Sequence, residues 1–488
     1  MRTARETTST ERLMTARPTL LAVALLAATG VAHAQQPPPT VDQLAERLRV
    51  LEQKLGVPAD ATSSDASGES LADLDQRLKV IERQLELQAE DAANKAASAS
   101  TLTVSAAKGV SFKSPAADGV EVKLRGLVQG DARAWIDDKA LPQNDGFLLR
   151  RVQPILEGQF GKLVGFRVMP EFAGDSATIA DAYIDLKFDP RATVRAGKFK
   201  APIGLERLQS SGATTFMELG YPSELAPNRD FGAQLQGEFT NGLTYAVGAF
   251  NGAPDGRDAP TSSNPDSKIE YAGRVFWEPF REDASALSGL GFGISASTGD
   301  AVGTGSNVLP RYRTPGQVQF FGYRAAVLAN GERRRWSPQA YYYNGPFGLL
   351  GEYIESKQDL RVGTTSATLD NRAWQLAASW VLTGEDASYR GVTRPSHPFN
   401  VDGAGFGAVE LAARIGALEI DDDAFPLFAD PNAAARRSRA WTLGVNWYLT
   451  QNLKLVANYS EADFDGGAAA GADRETEKTF FTRAQVSF

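Results

Sequence analysis

From Val120 to the final residue, apolar and polar positions alternate with a period of two, as in extended chain with one greasy face and one wet face. In the terminal stretch Phe480, Thr482, Ala484, Val486 and Phe488 share one side, and Phe481, Arg483, Gln485 and Ser487 the other. In "VEVKLRGLVQGDARAWI", Val122, Leu124, Gly126, Val128, Ala132 and Ala134 oppose Lys123, Arg125, Gln129, Asp131 and Arg133. The pattern recurs in "RRVQPILEGQF", "VGFRVMPEF", "DAYIDLKF", "RATVRAG", "DFGAQLQGEF", "LTYAVGAF", "IEYAGRVFW" and "LGFGISAS", then in "RRRWSPQAYYY", "GLLGEYIES", "RAWQLAASWVL", "GAVELAARIGAL", "RAWTLGVNWYL" and "LKLVANYS". That makes sixteen expected strands. Short links such as "GKL", "DPR", "TNG", "NGPF" and "TQN" alternate with long polar ones, an up-and-down meander with a short-turn rim and a long-loop rim. "GEDASYRGVTRPSHPFNVDGAG" breaks the rule, being long where a short turn is due.

Before Val120 the period is different. Val41, Leu44, Leu48, Leu51 and Leu55 step by three and four, as do Leu71, Leu74, Leu78, Ile81 and Leu85. These are a/d heptad seams, each too short to be stable alone in water. They fit either an antiparallel helical hairpin or a self-associating coiled coil held together by the oligomer that follows. Upstream, Arg17, the apolar "TLLAVALLAATGV" and "AHA" at 32–34 have the layout of a cleaved secretory signal, with Met14 an alternative start to Met1. The expected organisation is therefore a signal peptide over 1–34, a periplasmic coiled-coil or linker segment over 35–100, and a β-domain over 110–488.

Alternation alone also suits a soluble sandwich. The aromatic positions decide against it: Trp441 and Trp447 share an apolar face with Leu443, Val445 and Leu449, as Trp374 and Trp380 do with Leu376 and Leu382. Aromatics near both ends of a strand form the girdle of a membrane-spanning sheet. A bilayer leaves backbone groups no water, so such a sheet must close on itself. The fold class expected is all-β, a 16-stranded antiparallel transmembrane β-barrel with a short N-terminal α-helical coiled-coil segment. No later apolar run reaches the eighteen or more residues of a membrane helix.

Composition narrows the function classes. The formal net charge is −8, and the leader holds four basic and two acidic residues, so the remainder stands at −10. An acidic balance speaks against a nucleic-acid binder. Cysteine is absent, which excludes disulfides and thiolate metal sites. After leader cleavage His397 is the sole histidine, in the Pro-rich "RPSHPF". No nucleophile elbow, paired metal ligands or phosphate-cradling glycine loop is present, so neither an enzyme nor a cofactor is expected.

The stretch "VRAGKFKAPIGLERLQSSGATTFMELGYPSELAPNRDFGAQLQGEF", with "FLLRRVQPILEGQF", "WSPQAYYYNGPFGLLGEY", "GEDASYRGV" and "WYLTQNLKLVANY", resembles the phosphate-selective porin O and P family over about 120–488. The resemblance implies a homotrimeric sixteen-stranded outer-membrane porin of a Gram-negative bacterium, and uptake of small anions, notably phosphate or polyphosphate. It also implies a third loop folded into the lumen as constriction, here about Lys200–Arg229. The C-terminal strand ending in Phe488 looks like the signal read by the barrel-assembly machinery. Candidate anion-binding residues at the constriction are Lys198, Lys200, Arg207 and Arg229, with Glu206, Glu218 and Glu224 mixed in. On lumen-facing phases lie Arg125, Arg133, Arg151, Arg167, Arg195, Arg274, Arg333, Arg335, Arg414 and Arg483. These could funnel anions, or pair with interleaved acids such as Asp131, Glu157, Asp181 and Glu270 into a neutral wall. A weakly selective general porin, and a plugged barrel serving as adhesin or tether, are the alternatives.

Overall fold

The computed structural model describes residues 40, 43, 46, 47, 50, 71–105, 109–115 and 119–488. The leader and most of the first heptad run lie outside the described residues. The chain divides into two units, one ending at Ala96 and one from Ala97 to Phe488. In the first, the second heptad run lies in a single helix, α1 (Leu71–Ser98). It continues well past Glu86 because "LQAEDAANKAAS" is rich in alanine, the strongest helix former.

The second unit is all-β. Of the eighteen strands in its main sheet, sixteen close into an antiparallel barrel. They are β3 (Glu121–Ile136), β4 (Gly146–Phe160), β5 (Val164–Glu171), β6 (Thr178–Asp189), β7 (Ala192–Lys200), β8 (Arg229–Glu238), β9 (Leu243–Phe250), β10 (Glu270–Trp277), β11 (Leu290–Gly303), β14 (Leu328–Asn344), β15 (Phe347–Val362), β16 (Thr365–Val381), β17 (Ala408–Glu419), β18 (Ala435–Tyr448), β19 (Leu453–Gly466) and β20 (Glu477–Ser487). Each corresponds to one expected run. The last strand pairs with the first, Arg483 opposite Asp131 and Val486 opposite Val128. Phe488 then exchanges backbone hydrogen bonds with Gly126, 2.9 and 3.1 Å.

Alternation predicted the faces as well. Leu124, Val128, Leu376, Leu443, Phe480 and Val486 are exposed on the outer wall, whereas Gln129, Asp131, Arg483 and Gln485 are buried within. A closed ribbon that is apolar outside satisfies its own donors and acceptors in lipid.

Two small features escaped the sequence reading. A hairpin of β1 (Thr101–Ser105) and β2 (Gly109–Lys113) hangs from β3, where Val110–Lys113 pair with Leu124–Glu121 on the edge that β20 occupies further along. A second pair, β12 (Arg311–Arg313) and β13 (Gln319–Gly322), sits in the loop between β11 and β14.

The interior is not an empty tube. Long loops fold inward, and Tyr221, Leu225, Phe250, Tyr312, Phe320, Phe321, Phe428 and Phe464 form a buried core inside the ring of strands. That core backs onto β14–β19 through Ile354, Leu360, Leu369, Ala373 and Ala462. Open space is left toward β3–β10 and the adjoining ends of β19 and β20, although Phe199, Phe250 and Ala272 of β7, β9 and β10 also join the core.

Candidate pore and constriction

Residues 201–228 link β7 to β8 and cross the lumen as expected of a constriction loop. Such a segment has no ladder partner, so its backbone groups need side chains from the wall. Glu352 of β15 accepts from Leu205 N and Glu206 N at 2.6 and 3.2 Å, fixing the start of the 3-10 turn Glu206–Leu208. Glu206 in turn accepts from Gly220 N at 2.7 Å and from Arg414 at 3.1 Å. Further along, Lys454 donates to Thr214 O at 3.0 Å, Asn446 to Thr215 O at 2.9 Å, and Met217 N to Asn458 Oδ1 at 2.7 Å. Beyond Gly220, a short helix, α2 (Pro222–Leu225), carries the loop back toward β8.

Glu218 is the hub of the loop. It lies 2.5 Å from Arg133, 2.7 Å from Arg150 and 3.6 Å from Arg483, and Arg133 and Arg483 also share Asp131. Burial alone would raise the Glu218 carboxyl, but Arg150, Arg133 and Arg483 together hold it well below the usual carboxylate range. Because Arg483 and Asp131 face each other across the closing seam, one cluster ties loop, first strand and last strand.

Two cavities flank the loop. The larger, about 960 Å³, reaches the short-turn rim at Gly237, Gln451 and Asn452. The smaller, about 250 Å³, lies on the long-loop side between Arg150, Arg151, Arg207, Glu218 and Arg313. Both touch Gln153 and Arg229, which mark the neck between them. Among the described residues, the larger cavity is lined by eight basic side chains (Arg125, Arg167, Arg195, Lys200, Arg229, Arg274, Arg390 and Lys454) and two acidic ones, Asp181 and Glu238.

The constriction candidates divide. Lys200 lines the larger cavity and donates to Gln209 O at 2.6 Å, a neutral partner. Arg229 stands at the neck, bound to Asp181 at 2.7 Å. Arg207 borders the smaller cavity and donates to Ser223 O. Lys198 lines neither cavity, is 2 % exposed, and donates to Thr261 Oγ1 at 3.2 Å beside the Phe231 ring.

The lumen arginines divide by what they face. Arg125, Arg167, Arg195 and Arg274 face the larger cavity and Arg151 the smaller. Arg125 pairs with Glu157, Arg167 with Asp181 and Arg195 with Asp185, but Arg274 and Arg151 rest on the neutral oxygens of Gln339 and Gln129. By contrast Arg133, Arg333, Arg335, Arg414 and Arg483 are buried and ion-paired, line neither cavity, and pin the inturned loops. Arg335, for example, bridges Asp255 and Glu270 at 2.6 and 2.5 Å. Cavity-lining and loop-pinning arginines are interleaved along the wall, Arg125 and Arg133 on the one strand β3.

Four cations were missed, Arg313 of the hairpin β12–β13 among them. Arg150 should alternate outward, but the register slips between Gln129 and Gly130, and this bulge turns Arg150 and Arg151 inward together. Lys454, second in β19, sits in an expected strand on the inward phase and could have been taken from the pattern. Arg390 belongs to the overlong link 382–407, whose length was the only signal that it does more than turn. No group of His, Asp or Glu among the described residues is placed to hold a metal ion, and no helix there is long and apolar enough to cross a membrane.

A family model described as phosphate-selective porin O and P matches residues 122–488. A protein of Caulobacter vibrioides without an assigned function is 24 % identical over 356 residues, 69 % of this chain and 66 % of that one. Porin O of Pseudomonas aeruginosa is 23 % identical over 322 residues, 62 % of this chain and 71 % of its own. Among solved structures, the outer membrane channel DcaP of Acinetobacter baumannii superposes with a TM-score of 0.50 at 14 % identity, over 76 % of this chain and 98 % of that one.

Proposed function

The chain belongs to the phosphate-selective porin O and P family, and from that premise we propose that it forms a water-filled outer-membrane channel for small anions, phosphate and polyphosphate among them. The observation that carries this reading is the excess of eight basic over two acidic side chains around the larger cavity. A fixed charge 4 Å from an ion in water is worth about 1 kcal/mol. Two or three such contacts give binding on the order of 10 mM, enough to enrich anions and weak enough to release them. Arginine adds a planar fork suited to phosphate oxygens, and lysine a compact charge.

A second reading, a general and weakly selective porin, is favoured by the carboxylates on four of those cations: Glu157 on Arg125, Asp181 on Arg167 and Arg229, and Asp185 on Arg195. Reversal potentials across a chloride gradient and then a phosphate gradient separate the two. Lys200→Glu is expected to lower the anion-to-cation permeability ratio, while Lys198→Met leaves it unchanged. A shift with Lys198→Met and none with Lys200→Glu would reverse the assignment. Absence of any current from reconstituted protein would return the plugged adhesin or tether.

The same reading includes a homotrimer, the barrel-assembly machinery as the reader of the strand ending in Phe488, and a periplasmic N-terminal segment whose heptads space or trimerise the barrels. The outer wall supports the trimer. Trp336, Trp374, Trp380, Trp441 and Trp447 all lie on β14, β16 and β18, whereas β4–β9 carry no tryptophan and β5 and β9 have eight residues each. The low wall without tryptophan is the one suited to neighbouring copies. Chemical crosslinking of cysteine pairs introduced on β5 and β6 tests it, with a crosslinked trimer expected.

A further inference from the structure

The link between β16 and β17, residues 382–407, departs from the short-turn rim. Its base is fixed there: Leu382 N donates to Val409 O at 2.7 Å, Ala387 N to Gly345 O at 2.8 Å, and Phe399 N to Leu449 O at 2.7 Å. Val381, Ala387, Val392, Ala408 and Tyr448 close into a small buried cluster around those contacts. From this base the chain turns into the lumen. Ser388 Oγ donates to Gly391 O at 2.8 Å, and Gly391 sits at φ 76°, a left-handed conformation open to glycine. Tyr389 and Arg390 are at the tip of that turn.

Tyr389 touches the constriction loop twice. Its hydroxyl donates to Leu205 O at 2.6 Å, and its carbonyl accepts from Gln209 Nε2 at 2.8 Å. Leu205 and Gln209 flank the 3-10 turn Glu206–Leu208, so one residue brackets that turn from the opposite rim. The Tyr389 ring is itself held, stacked on Tyr341 with centroids 5.2 Å apart. Arg390, next in sequence, lines the larger cavity and is exposed. No ion pair engages its guanidinium among the described residues, unlike Arg125, Arg167 and Arg195 on the wall.

We propose that segment 382–407 is a second selectivity element of the channel, in which Tyr389 is a positioning residue for the constriction turn and Arg390 a specificity-determining cation for small anions on the short-turn side. This rests on the anion-channel reading. The chain thereby reads an anion twice, once at the neck and once at a charge that no wall strand carries. Because Arg390 lies to one side of the neck, its charge acts unequally on the two directions of flow. A wall cation at the neck would not produce that inequality.

The experiment is planar-bilayer recording of the full mature protein and two variants. Arg390→Glu is expected to lower the anion-to-cation permeability ratio roughly two- to fourfold and to make the current–voltage curve asymmetric. Tyr389→Phe keeps the ring stacked on Tyr341 and loses only the hydroxyl bond. It should raise open-channel current noise while leaving the temperature of barrel unfolding in detergent unchanged. An anion-preferring wild type with an unaltered ratio and symmetric currents in Arg390→Glu would overturn the role of Arg390. Quiet Tyr389→Phe channels of wild-type conductance would overturn the positioning role. A wild type without anion preference would instead sink the anion-channel reading, and asymmetry in Arg390→Glu would still report whether that residue faces the ion path.

Discussion

Gly126 faces lipid on β3, and the ring of Phe488 occupies the place where its side chain would be. A Cβ there would lie 2.5 Å from a ring carbon. An aromatic laid over a glycine seals the seam that the two residues also close with paired backbone hydrogen bonds. Gly126→Val displaces the terminal ring, an overpacking that costs about 1–3 kcal/mol. The expected outcome is a lower unfolding temperature, read from the heat-modifiable mobility of the barrel in detergent, with conductance per open channel unchanged. At this scale the alternation was informative wherever a strand kept its phase. It placed Arg483 and Asp131 inward and Phe488 outward from sequence alone. It failed at Arg150, because a bulge is a property of two paired strands and only one of them was being read. Lys198 and Lys200 share a phase, yet one is covered beside Thr261 and the other lines the cavity. Coverage by a loop some sixty residues away, Lys198 on Thr261, has no local signature.

Loops decide what the barrel transmits, and they do so as elements held by charge rather than by ladders. Glu352 caps two backbone donors of the constriction loop, and Glu218 gathers three arginines at its far end. A hydrogen bond to a charged group is worth about 1.5–3 kcal/mol, and removing one partner of a buried ion pair about 3–5 kcal/mol. Glu218→Gln is therefore the more damaging change. It should leave the barrel assembled but free the loop tip, giving larger and noisier single-channel conductance. Wild-type traces would show that the remaining bonds from Lys454, Asn446 and Asn458 suffice. Link length was legible, and it singled out both the constriction loop and the anomalous 382–407. Neither inward course was derivable from the residues, since a polar loop can be satisfied by water at the rim as well as by the wall. The acids Glu206 and Glu218, mixed in among the constriction cations, are the loop's struts.

For the whole molecule, the division of the lumen settles how selectivity should respond to its surroundings. Paired arginines behind the loops are sheltered from salt, while the cavity cations are bathed in it. The Debye length falls from about 10 Å at 0.1 M to about 3 Å at 1 M. If long-range field enriches anions, the permeability ratio must decline over that range; a ratio independent of salt would point to direct binding or pore size instead. The proposed selectivity also has a definite address in the chain. Every residue lining either cavity lies within the unit that begins at Ala97. A mature chain lacking residues 35–96 is therefore expected to give wild-type unitary conductance and reversal potential. Native mass spectrometry of the same truncated protein shows whether three copies still associate. Intact trimers would assign association to the barrel wall alone, and monomers with unchanged conductance would assign it to the heptads, so that pore and assembly would reside in separate parts of one chain.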